Sequence, residues 1–104
     1  MKLLILSLLT LAALAPQSKR TFTGTITDSM CENADHSHMR MGPTDAECTK
    51  ACVEEHDASF VLYDGKNVYM LSDQRTPAKF AGQKVKVTGT LDAKTRTIQV
   101  DSMR

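Results

Sequence analysis

The sequence predicts a mainly β domain closed into a small barrel, and three observations lead to that class. Five short segments, 21–28, 60–63, 67–71, 84–91 and 97–101, are rich in β-branched and aromatic residues or alternate apolar with polar ones. Their order is one long strand, a hairpin, a short helical link and a second hairpin, which fits a five-stranded OB-like barrel. All three cysteines and two of the three histidines fall between Cys31 and Cys52, in a stretch without strand periodicity. That stretch reads as a helical, cysteine-containing insertion after strand 1.

At the N-terminus, Lys2 precedes an apolar run from Leu3 to Ala15 broken only by Ser7 and Thr10. This is the pattern of a secretory signal. The run is too short for the roughly 18 to 20 residues of a membrane-spanning helix, so no stable membrane insertion is expected. Ala13-Leu14-Ala15 supplies a cleavage site, although Pro16 behind it would hinder the cut, and no cysteine follows that could be acylated. Residues 1–18 are accordingly read as signal peptide and linker, and 19–104 as a single OB-like domain, periplasmic or secreted and monomeric.

In Thr21–Asp28, Phe22, Gly24 and Ile26 alternate with threonines, the period of a half-buried strand. Residues 29–43 show neither periodicity and end on the turn signal Gly42-Pro43. Thr44-Asp45-Ala46-Glu47 is a capping box, which predicts a helix from Asp45 to about Glu55. Asp64-Gly65 between two apolar runs signals a hairpin. Pro77 to Gly82 reads as one helical turn closed by glycine. Val85, Val87, Gly89 and Leu91 share one face of the next strand, and Ile98 and Val100 point inward from the last. Gly24 and Gly89, each inside a strand, suit the bulges or coiling that closure requires.

Composition excludes some partners. With 13 basic and 12 acidic residues and no long run of either sign, nothing favours nucleic acid or an anionic membrane. Two Tyr, three Phe and no Trp leave few stacking platforms. A domain this small has a thin core and gains from a covalent or metal cross-link.

The cysteine stretch offers two such links. Cys48 and Cys52, one turn apart on a helix, point in parallel and suit a mutual disulfide poorly. A structural disulfide would therefore join Cys31 to one of them and leave an odd thiol, closing a loop of about 20 residues for roughly 3 kcal/mol. Alternatively, Cys31, Cys48 and Cys52 with His36 or His38 form a Cys₃His set suited to tetrahedral zinc. Met39 and Met41 add thioethers, which Cu(I) prefers, so zinc and copper both stand. His38, Met39 and Met41 also fit an ordinary polar loop, and His56 fits a helix C-terminus, where its charge complements the dipole.

An enzyme is not expected. A thiol oxidoreductase would place C-x-x-C at a helix start. The pair Cys31 and His36 lacks an orienting acid at a recognisable spacing. Tyr63, Tyr69, Asp64 and Asp73 lie at strand ends and turns, where solvated roles are the default.

Taken together, G-T-I-T-D-S-M-C at 24–31, the His and Met cluster at 36–41, C-T-K-A-C-V at 48–53, F-V-L-Y-D-G at 60–65, V-Y-M-L-S-D-Q at 68–74 and V-K-V-T-G-T-L-D at 85–92 resemble small exported bacterial proteins of a domain-of-unknown-function family. The resemblance spans nearly all of the chain after the signal segment. It implies a five-stranded OB-like barrel with Cys, His, Cys and Cys in the insertion, at Cys31, His36 or His38, Cys48 and Cys52, and it implies no activity. Relatives tend to close the helix with glycine near position 56, where this chain has His56.

Two functions follow as expectations: an exported, non-enzymatic module binding a transition metal, zinc or copper, or a disulfide-stapled OB scaffold binding a small ligand or protein without metal. A redox or haem-handling accessory role is a weaker third, by fold analogy alone.

Overall fold

The computed structural model describes residues 18–104, so the expected signal segment lies almost wholly outside the described residues. The elements are β1 (Arg20–Asp28), α1 (Asp45–His56), β2 (Phe60–Tyr63), β3 (Val68–Leu71), a 3₁₀ turn (Thr76–Phe80), β4 (Lys84–Asp92) and β5 (Thr97–Met103). The strands close into a barrel in the order β1-β2-β3-β5-β4, with β4 returning to β1. All pairings are antiparallel except β3 with β5. The OB-like arrangement and the insertion after β1 are as the sequence predicts.

Alternation decides what faces inward. Phe22, Ile26, Phe60, Leu62, Tyr69, Leu71, Val85, Val87 and Ile98 are buried together in the barrel interior. Phe22 and Tyr69 meet edge to face with centroids 5.2 Å apart. Gly24 and Gly89 stand where strands approach too closely for a side chain: a Cβ would run into the Tyr63 carbonyl at one and the Gln99 carbonyl at the other. The β4–β5 register shifts between Thr88 and Gly89, the bulge expected of closure.

The turns follow their local chemistry. Gly65, at φ 96°, makes the β2–β3 corner, and Asp64 accepts from the amides of Lys66 and Asn67. Thr44 caps α1, its hydroxyl accepting from the Glu47 amide at 3.1 Å. The helix closes without glycine. Asp57 takes the left-handed conformation at φ 56°, and the Ala58 amide donates to the Cys52 carbonyl at 3.2 Å. His56 is exposed in the last helical turn.

One face departs from simple alternation. Thr27 and Val61 pair with each other across β1 and β2 and point away from the barrel interior, yet both are fully buried. The insertion covers them, with α1 packed against β1. The next residue along that row, Met70, is uncovered and exposed.

Candidate metal centre

The site is built where β1 runs out under the insertion. Asp28, the last residue of β1, is fully buried. Its Oδ1 accepts from the amides of Met30 at 2.9 Å and Cys31 at 3.0 Å, so the carboxylate folds the chain back on itself. The Thr27 hydroxyl donates to the Cys31 carbonyl at 2.7 Å and fixes the same turn. These bonds set Cys31 beside the carboxylate. Further along, the Ser37 amide donates to Asp35, and the loop brings His36 inward at 3% exposure.

One donor atom each from Asp28, Cys31 and His36 lies within 4.8 Å of the others, and all three residues are buried. Asp28 Oδ2 and His36 Nδ1 have no hydrogen-bond partner. A buried polar atom left unpaired costs on the order of 1–3 kcal/mol, more when charged, so each of these two clustered residues carries an unmet need for a partner.

Cys52, on the buried face of α1, lies outside this group but near enough to Asp28 for the carboxylate to act on its thiol. Burial first, then the Asp28 carboxylate, then Cys48 and Cys31, push its thiol up to about 12. Cys52 lies alongside the carboxylate, but Oδ2 itself receives no hydrogen bond. Burial, Asp28, Cys48 and Asp35 likewise raise the Cys31 thiol. Raised in this way, the Cys31 and Cys52 thiols stay protonated, and a metal bound by them would have to displace those protons.

The other expected residues are placed differently. Cys48 and Cys52, both fully buried one turn apart on α1, stand outside the 4.8 Å group. His38 and Met39 are exposed, and Met41 is half-buried. The expected disulfide is not formed, since all three cysteines are free thiols. The Cys48 sulfur is held instead between the Met39 carbonyl and the Met41 amide at 3.3 Å each. Asp28 is the member that sequence reasoning missed.

No family model, curated protein or solved structure matches the chain. The resemblance to a domain-of-unknown-function family therefore rests on the motifs alone. What stands is a five-stranded mixed β-barrel with a buried Asp/Cys/His cluster.

Among the described residues no helix is long and apolar enough to cross a membrane.

Proposed function

We propose that this chain is an exported, non-enzymatic module that binds one zinc ion through Asp28, Cys31, His36 and Cys52. The observation that carries the reading is the pair of buried, unpartnered donors, Asp28 Oδ2 and His36 Nδ1, in a cluster with the Cys31 thiol. Carboxylate, imidazole and two thiolates make a mixed hard and soft set that suits zinc; Cu(I) would favour a sphere of sulfur donors without the carboxylate. The Asp28 turn supplies the outer support such a ligand needs, with one carboxylate oxygen fixed by two amides and the other free.

Asp28, Cys31 and His36 also form the residue types of a nucleophilic triad. Two features favour the metal over that chemistry. A catalytic thiol is activated by a lowered pKa, whereas burial and Asp28 raise that of Cys31. An orienting acid would hydrogen-bond the imidazole, whereas His36 Nδ1 has no partner. Four protein donors also close a tetrahedron and leave no position for a substrate.

The test is elemental analysis of protein purified from its native compartment without chelator, paired with thiol titration after unfolding. One zinc per chain and three titratable thiols are expected. One titratable thiol without metal would replace the zinc reading with a disulfide staple. Binding only the native state, zinc at a thousand times its dissociation constant would add about 4 kcal/mol of stability, and a chelator would remove it.

A further inference from the structure

Cys48 makes two contacts that the other thiols lack. Its S–H donates to the Met39 carbonyl and its sulfur accepts from the Met41 amide, both at 3.3 Å. The Met39 amide in turn donates to the His36 carbonyl at 3.3 Å. A chain of bonds thus runs from α1 through one buried sulfur to the segment that delivers His36. The other tether of that segment, Arg40 to Asp45 at 3.0 Å, has both side chains about half exposed and contributes little.

These contacts use the cysteine in both directions, and metal ligation would undo one of them. A ligand sulfur is a thiolate. At Cys48 it would have lost the proton that the Met39 carbonyl accepts, leaving negative sulfur against carbonyl oxygen in a fully buried position.

We propose that Cys48 is a positioning residue, whose thiol latches residues 39–41 to α1 and so holds His36 over the donor cluster, and that the bound metal carries two sulfurs, from Cys31 and Cys52, instead of three. This rests on the reading of that cluster as a metal centre. Losing an outer support of this kind typically weakens metal affinity about 10- to 100-fold without changing the ligands.

The test loads the chain and its variants with zinc and counts sulfur neighbours by X-ray absorption. Two sulfurs are expected in the wild type and still two in C48A, with affinity about 10- to 100-fold lower. C48S, whose hydroxyl can donate and accept in the same two directions, should recover part of that loss, whereas C52S should fall to one sulfur. Three sulfurs in the wild type, or one fewer in C48S, would overturn the assignment. In the metal-free protein, the Met41 amide should exchange with solvent faster in C48A than in the wild type, and unchanged protection would also overturn the latch. A wild-type chain that takes up no zinc would overturn the metal reading and the ligand assignment with it, while the Met41 comparison would still decide the latch.

Discussion

Asp28 does two separable jobs, so two substitutions at that position should part company. Oδ1 holds the Met30 and Cys31 amides, whereas Oδ2 has no hydrogen-bond partner and is free to meet a metal. Asp28→Ala removes both acceptors. A hydrogen bond to a charged group contributes about 1.5–3 kcal/mol, and the Met30 amide is only partly buried, so the metal-free protein should lose about 3 kcal/mol. Asp28→Asn keeps a carbonyl oxygen for the two amides and should cost about 1 kcal/mol, the difference between a charged and a neutral acceptor.

Toward zinc the two variants should behave alike, because each lacks the anionic ligand. An affinity at least about a hundredfold weaker is expected, equivalent to about 2.7 kcal/mol. Urea denaturation in excess chelator reads the first quantity, and competition against a chromophoric chelator reads the second. Asp28→Asn as unstable as Asp28→Ala would refute the turn-holding role of Oδ1. Asp28→Asn binding zinc like the wild type would refute the carboxylate as a ligand, and the proposed donor set with it.

Three further outcomes follow from the fold. Gly89→Ala drives a methyl into the Gln99 backbone at the β4–β5 bulge and should cost about 1–3 kcal/mol, read as a lower urea midpoint with the strands otherwise intact. Thr44→Ala removes the cap of α1 and should cost about 1 kcal/mol, seen as a drop in thermal midpoint. Asp64 accepts from the Asn67 amide and then the Lys66 amide, which hold its carboxyl below the ordinary value of 3.8. Its contribution is therefore complete above pH 3.8 and is lost as pH falls through the lower folded value. The stability gap between wild type and Asp64→Ala should be constant at neutral pH and shrink in acid, and a gap that widens in acid would contradict this sign.

The barrel was legible because its signals are local. Alternation in 21–28 and 84–91, Asp64-Gly65 at the hairpin and the Thr44/Glu47 box each specify their element without help from the rest. The site was legible only as residue types. His36 and His38 carry the same chemistry two residues apart, and burial alone separates them. Asp28 could not be read at all, since an acid ending a strand is by default solvated. It pairs with the core residue Phe60 and shares the face of Ile26, and it is buried because the chain folds back over the end of β1 there, while the insertion also covers Thr27 and Val61 on the outward side. The role of Cys48 was hidden for a related reason: cysteine counting sees sulfur partners but not backbone ones, and Cys48, a free thiol like Cys31 and Cys52, bonds to Met39 and Met41.

That fold-back raises the question of what holds the insertion down. The buried positions of α1 are Cys48, Thr49 and Cys52, with Ala46 and Val53 half-buried against the core, so the helix docks without a single leucine, isoleucine or phenylalanine. Small side chains remove little apolar area from water at about 25 cal/mol per Å². The Thr49 hydroxyl, buried without a partner, adds a cost. A helix of 12 residues is also too short to be stable by itself in water. In the metal-free protein, α1 should therefore open separately from the barrel, its amides exchanging faster than those of β1 and β4 at the same pH. Zinc spanning Cys52 on the helix and Asp28 at the strand end would tie the two together, and its addition should slow exchange in α1 far more than in the strands. Equal protection of helix and barrel without metal would show that packing alone suffices and would remove the energetic reason for a metal at this junction.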